Sequence, residues 1–325
     1  MDIVIIDGLS FALPLFIMAI GGIYCEKSGV TMLAVEGLQG FGAFIGAFVA
    51  VAIAGNFSGD SPVPFYIAMI MAAVGGSIFA LIHALLCLKF KANQVISGVV
   101  VNILAMALTA YLTKLLNRVV FGATSDKFVL TVSSRITIPG ISRIPVLGAA
   151  FTNLYPFELV IVAVAFIAWF VMYKTRFGLR LRACGEHPQA ADSVGINVGV
   201  NVYKMRYAGV MISGALGAIG GLAYIVPPVQ TWNFEVGVAG AGFLALAVMI
   251  FGQWKPFNIC AAAMFFAVFK SLANIADSTF LAQLHWSSNI YNMMPFIASM
   301  IILAFTSKNS MAPKAEGIPY DKGSR

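Results

Sequence analysis

The chain has 325 residues, 60% of them hydrophobic and only 10% charged, with a mean hydropathy of +0.91. Soluble domains are typically ~45–50% apolar, so a soluble globular class is excluded. The formal net charge of +7 would raise nucleic acid as a partner for a soluble chain. Here the basic residues sit between apolar runs, so their placement matters more than their sum, and no nucleic acid is expected.

Apolar stretches long enough to cross a hydrocarbon core of ~30 Å as helix recur along the chain. Lipid offers backbone groups no partner, which leaves helices or a closed barrel, and runs such as IVAVAFIAWFVMY lack the alternation of a barrel strand. The expected fold class is therefore all-α, a polytopic transmembrane helix bundle. Nine spans are placed at about 5–25, 31–55, 64–88, 94–113, 156–173, 205–226, 239–252, 257–274 and 291–306, with eight to ten allowed.

The first run lacks a basic leader and continues into CEKSG, which reads as a retained span rather than a cleaved signal peptide. In the second, Glu36 is an acid within an apolar run, with Lys27 upstream. A charge there pairs structurally, snorkels at the cytoplasmic end, or takes part in gating. Asn102 lies in the fourth span among Val, Leu and Ala; an amide there joins helices or faces a pathway. Residues 114–155, rich in Thr, Ser, Pro and Gly, form a long connection expected to contain short strands or helices. The seventh run, GVAGAGFLALAVMIFG, is short and glycine-rich, so it is expected to be broken or to extend at either end. Asn233, Phe234 and Glu235 precede it, and Asn289, Tyr291 and Asn292 lead into the last span. The candidates for pathway or gate are Glu36, Asn102, Asn233, Phe234, Asn289 and Asn292. Trp232 and Trp286 fit an interfacial aromatic belt.

Small residues at four-residue spacing line one helix face and let backbones approach. Glycine clusters inside spans at Gly37 and Gly40, at Gly217 and Gly221, which continue such a four-residue spacing from Ser213, and at Gly237, Gly240 and Gly242. Helix packing is the first reading, a hinge or a close approach to substrate the second. Basic residues accumulate on the cytoplasmic side. Counting alternate connections puts fourteen of the twenty on one side and five, all in 114–155, on the other. The first side is then cytoplasmic, the N-terminus outside and the C-terminus inside.

The stretch LRACGEHPQAADSVGINVGVNVYKMRY interrupts this pattern. Pro188 suits the first position of a helix, PQAADSV continues it, Gly195 can end it in the left-handed conformation, and Asn201 can cap the next span. A helix this short is far below the ~12–15 residues that are marginal in isolation, so it needs a surface. A cytoplasmic partner against the Ala190/Ala191 face is one candidate surface, and the chain's own cytoplasmic face is the other.

Gly178-Leu-Arg-Leu-Arg-Ala-Cys-Gly185-Glu-His-Pro-Gln-Ala-Ala191-Asp-Ser-Val-Gly195-Ile196 resembles the cytoplasmic signature of ABC importer permeases of the branched-chain amino acid and simple-sugar type, most closely the nucleoside or simple-sugar branch. The resemblance continues through GGIYCEKSGVTMLAVEGLQGFGAF, NQVISGVVVNILA, RYAGVMISGALGAIGGLAY, GVAGAGFLALAVMIFGQWKPFN and MMPFIASMIILAF. It implies a single permease domain over 1–325, with a coupling segment at 174–204, an extracytoplasmic loop at 114–155 and a cytoplasmic tail at 307–325. It implies that Gly185, Glu186, His187, Pro188, Ala190, Ala191, Asp192, Gly195 and Ile196 dock on a separate ATPase subunit that carries ATP and Mg. It implies a homologous second permease, in a heterodimer rather than a homodimer, an extracytoplasmic substrate-binding lipoprotein, and an inner or plasma membrane location. The cargo would be a small polar solute, with a nucleoside or simple sugar preferred.

No chemistry of the chain's own is expected. A GxxxxGK[ST] loop is absent from the sequence, so any ATP hydrolysis belongs to another chain. Cys25, Cys87, Cys184 and Cys260 form no CxxC pair, and His83, His187 and His285 are scattered, so neither a bound cofactor nor a metal site is expected. The rival reading is an ion-coupled secondary transporter working without an ATPase, for which discontinuous helices would speak.

Overall fold

The computed structural model describes residues 2–58, 61–130, 135–137, 152–193, 201–226, 230–235, 237–238, 240–275, 311–321 and scattered positions from 290 to 304. In chain order the elements are α1 (Asp2–Glu26), α2 (Val35–Ala54), α3 (Val63–Ala84, continued by a π-helical turn, Leu85–Lys89), α4 (Gln94–Val120), β1 (Lys127–Val129), α5 (Pro156–Lys174), α6 (Arg176–Glu186), α7 (Pro188–Ser193), α8 (Val202–Tyr224), β2 (Thr231–Asn233), α9 (Ala241–Phe251) and α10 (Pro256–Ile275). Six of these helices are long and apolar enough to cross a membrane, and two shorter apolar helices follow. The expected all-α bundle is present. Among the described residues six to eight spans are identified rather than nine, since α9 has only 11 residues and the last run is only partly described.

Local chemistry sets the helix starts. Asn93 caps α4, its Oδ1 accepting from the N–H of Val95 and Ile96 at 2.9 and 3.1 Å. Pro156 opens α5, where a missing N–H is harmless. Asn201 caps α8 as expected, accepting from Lys204 N at 3.2 Å.

α1 and α8 form the centre. Of their apolar stretches 83% and 67% are buried, against 28% for α4, whose outward Ile96, Ile103 and Met106 are the surface that hydrocarbon requires. Apolar burial does not drive helices together in lipid, so close packing must. The glycine face of α8 provides it. A Cβ at Gly214 would stand 2.5 Å from the carbonyl O of Gly76 on α3, and one at Gly221 would stand 2.5 Å from that of Gln39 on α2.

α4 runs seven residues beyond the expected end at 113, because Lys114 and Asn117 are a polar helix end rather than a loop start. Asn117 Nδ2 donates to Ser125 O at 2.9 Å and turns the chain into β1. β1 pairs antiparallel with β2, Phe128 opposite Trp232, and both side chains are buried over Phe44. Trp232 donates from Nε1 to Thr113 Oγ1 at 3.3 Å, so it is a core residue and not part of an interfacial belt. Trp286 lies outside the described residues.

Candidate functional site

Two regions gather the residues singled out in the sequence. The first lies inside the bundle, where helices begin away from its ends. α2 was expected from residue 31, but residues 27–34 are not helical and descend beside α4. Irregular backbone at membrane depth needs protein partners, and each partner here is a buried or half-buried side chain. Thr31 N donates to Gln94 Oε1 at 2.7 Å, and Thr31 O pairs with His83 Nε2 at 3.1 Å. Asn102 Nδ2 donates to Leu33 O at 2.9 Å, and its Oδ1 accepts from Gly37 N at 2.7 Å. Asn102 therefore joins α4 to the start of α2. It stands eight residues into α4, roughly 12 Å along the axis.

The same level holds the start of α9. The turn before it uses positive φ at Gly237 and Gly240, +54° and +77°, where L side chains are strained. The N–H groups of Gly240 and Gly242 donate to Glu36 Oε1 and Oε2 at 2.9 and 2.7 Å. A carboxylate from α2 thus closes the positive N-terminus of α9. Glu36 has this backbone partner rather than Lys27. A Cβ at Gly242 would meet Glu36 Cα at 2.6 Å, so that glycine is a close approach, as Gly221 is. Gly217 has only an ordinary contact at 3.6 Å, and Gly237 and Gly240 serve conformation rather than packing.

A shallow groove with a cavity volume of about 70 Å³ adjoins this junction, lined among others by Glu36, Gly40, Thr109, Trp232 and Phe234. Phe234 is half-buried beneath Lys114 Nζ, 4.9 Å from the ring centroid. Asn233 lies in β2 and caps its own turn, accepting from Glu235 N at 2.9 Å. Glu36 and Phe234 meet at the groove, Asn102 sits behind it, and Asn289 and Asn292 lie outside the described residues. Sequence reasoning missed Gln94 and Thr109 and weighed His83 only as a metal ligand.

The second region is the end where the basic connections collect. The stretch after α5 is a further helix, α6 (Arg176–Glu186), which the basic run in the sequence does not announce. Thr175 caps it, and at Gly178 a Cβ would stand 2.1 Å from Met172 O, so the α5–α6 turn admits no side chain. α7 starts at Pro188, as expected, and is described to Ser193; Gly195 and Ile196 lie outside the described residues. His187 and Ala190 are exposed, Glu186 and Asp192 half-buried, and Pro188 buried. Ala191 turns inward and packs on the cluster of Cys184, Val202 and Tyr320. Gly185 is pressed on the α1–α2 connection, where a Cβ would stand 2.3 Å from Lys27 O. Burial pushes the Cys184 thiol up to about 11, so it is not a reactive thiolate. No group of His, Cys, Asp and Glu able to hold a metal occurs among the described residues.

Comparison with known proteins gives this geometry its context. The description "Branched-chain amino acid transport system / permease component" matches residues 4–304. The guanosine ABC transporter permease protein NupQ of Bacillus subtilis is 37% identical, covering 100% of this chain and 98% of its own length. The nucleoside ABC transporter permease protein NupC of Lactococcus lactis subsp. cremoris is 35% identical, covering 99% and 98%. A second guanosine ABC transporter permease protein of Bacillus subtilis, NupP, is 23% identical over 77% of this chain and 68% of its own. No solved structure matches. With a family match over almost its whole length and relatives aligned end to end, the chain belongs to the branched-chain amino acid transport system permease family, as the membrane-embedded permease subunit of an ABC-type importer whose ATP is hydrolysed on a separate subunit.

Proposed function

We propose that this permease carries a nucleoside, and that it does so as one of two non-identical permease subunits. The observation that carries the cargo is end-to-end similarity to two permeases named for guanosine and for nucleosides. The pairing is supported by Bacillus subtilis having two distinct guanosine permease proteins, both similar to this chain. A lipoprotein would deliver the solute from outside, and an ATPase pair would act from the cytoplasm with ATP and Mg. The whole of 1–325 is read as one permease domain, with 174–204 cytoplasmic, 114–155 extracytoplasmic, 307–325 a cytoplasmic tail, and helical positions from 290 to 304 supplying the last of nine spans.

The pathway in this reading passes the junction of α2 and α9. Two helix N-termini meet there beside a groove carrying a carboxylate, a hydroxyl and an aromatic ring, from Glu36, Thr109 and Phe234. A nucleoside is neutral, so it calls for hydrogen bonds and stacking rather than a countercharge. Movement of α9 would expose or cover that groove, and Glu36 is the latch. Coupling to the ATPase would run through α6 and α7, where His187 between them and Ala190 on α7 are exposed and offer the docking face.

The test is uptake by the reconstituted importer with competition by nucleosides, ribose and branched-chain amino acids. Competition by nucleosides alone is expected, with uptake abolished when ATP is withheld. Competition by ribose or leucine in place of nucleosides would overturn the cargo. Purification of the active complex with two copies of this chain and no second permease would overturn the pairing.

A further inference from the structure

The segment Met311–Asp321 lies across the basic end and touches five separate parts of the chain. Met311 N donates to Gln253 Oε1 in the α9–α10 turn at 3.2 Å, and Lys27 Nζ donates to Met311 O at 3.5 Å. Ala315 N donates to Gly185 O in the last turn of α6 at 2.9 Å. Gly317 takes a φ of +75° beside Thr31. Arg206 Nη1 donates to Ile318 O at 3.0 Å, and Tyr203 OH to Tyr320 O at 3.1 Å. Asp321 reaches Lys91, at the α3–α4 connection, at 2.8 Å.

Two features distinguish this from a tail resting on a surface. Arg206 is fully buried beneath the segment, and Ile318 O is the hydrogen-bond partner the described residues give it, with Nε and Nη2 left without one. Burying such a cation is expensive, so the segment is part of the structure that holds it. The Tyr320 ring is also buried, packed on Cys184 and Val202 with Tyr203 at 5.3 Å, and Ala191 of α7 closes the same cluster. The inner face of the docking helix therefore rests partly on the carboxy-terminal segment.

We propose that residues 311–321 are a coupling strap: they tie α6 and α7 to α8, to the segment leading into α2 and to the α9–α10 turn, so that a push on α7 moves the helices of the Glu36 junction as one body. This rests on the reading of α7 as the ATPase-facing helix. Gly185, Arg206 and Tyr320 are positioning residues, acting through α7 and not on the solute. Without the strap α7 keeps its exposed docking face but moves against a loosened support, and hydrolysis runs on without delivering its motion.

The test is the whole importer in proteoliposomes, read as guanosine imported per ATP hydrolysed. A ratio is chosen because a purely structural defect would lower both rates together. Three versions of this chain are compared with the natural one: a chain ending at Ser310, Tyr320→Ala, and Tyr320→Phe, which keeps the ring. The first two are expected to assemble, to retain ATP hydrolysis, and to lose about 3- to 10-fold in the ratio, within the span by which mutations alter coupling, while Tyr320→Phe, which loses only the hydroxyl facing Asp192 of α7, loses less than Tyr320→Ala. An unchanged ratio in whichever of the first two assembles would overturn the strap. Failure of both to assemble would also overturn it, making the segment a folding staple. Ala190→Glu, on the exposed face, separates the two readings. Normal transport by that variant would remove α7 from the docking surface and the strap with it. A defective Ala190→Glu beside unchanged strap variants would remove the strap alone.

Discussion

Glu36 accepts from two backbone N–H groups of α9, and hydrogen bonds to a charged group contribute ~1.5–3 kcal/mol each. Glu36→Gln keeps the shape but turns one acceptor into an NH₂ that faces an N–H donor. The start of α9 is then expected to loosen by about 1.5–3 kcal/mol, with membrane levels near normal. Amide exchange at Gly240 and Gly242 measures this directly, and natural protection in the variant would mean that the carboxylate does not hold α9. Glu316 offers a different test, outside the spans. Burial raises its carboxyl to about 7, with Lys27 pulling the other way and Glu26 at the end of α1 facing it. A carboxyl raised on docking binds its proton more tightly when docked. The strap should therefore be held best at low pH and loosen as pH rises from the ordinary carboxylate range through about 7. Exchange of the Ala315 amide, corrected for intrinsic rate, should quicken across that window, and Glu316→Gln should flatten the dependence. The polar residues that matter most were visible when they stood alone in an apolar run, as Glu36 and Asn102 do. His83 and Gln94 were not, because what defines them is a carbonyl or an N–H of Thr31, many residues away in the chain.

At the scale of elements, length and apolarity located the helices, and the departures share a cause. Hydropathy sees a run of apolar side chains but not whether its backbone is helical. VTMLA therefore read as the start of a span, although four side-chain hydrogen bonds hold it or its junction with α2 in another conformation. α6 erred the other way, since an amphipathic basic helix looks like a loop when apolar runs surround it. The glycines of α8 were legible as a packing face but not individually. Gly221→Ala would push a methyl to 2.5 Å from Gln39 O, whereas Gly217→Ala meets Gln39 Cγ at 3.6 Å. Overpacking of a close contact typically costs ~1–3 kcal/mol, so Gly221→Ala should lower the thermal midpoint of the purified protein and Gly217→Ala should leave it near the natural value. Equal midpoints would mean that α2 and α8 can part without penalty. The two alanines of α7 separate in the same manner: Ala191→Glu forces a carboxylate against Cys184 and Tyr320 and should disturb the strap as well as docking, while Ala190→Glu changes the exposed face only.

For the whole molecule, the basic residues and the contacts agree on which parts share an end. Lys27, Lys91, Arg206 and the carboxy-terminal segment, assigned to one side by charge alone, are joined by hydrogen bonds and an ion pair. Lys114 and Lys127 lie at the opposite end, by the β1–β2 pair. What charge cannot supply is the absolute direction, which rests on the cytoplasmic accumulation of Lys and Arg. Single cysteines with an impermeant thiol reagent in intact cells decide it. Cys25, Cys87 and Cys184 are buried and can stay, while the exposed Cys260 is first replaced by serine. Cysteine at position 190 or 314 should remain unlabelled until the membrane is permeabilised, and cysteine at position 118, near the end of α4 by the β1–β2 pair, should label at once. Labelling of 190 and 314 from outside, with 118 protected, would invert the molecule. It would put α7 on the face where no ATPase can reach it, and the coupling end would have to be sought among the loops around β1 and β2. Labelling of 190 from one side and 314 from the other would break the Ala315–Gly185 contact itself, because residues joined by a 2.9 Å hydrogen bond cannot flank opposite surfaces of a bilayer.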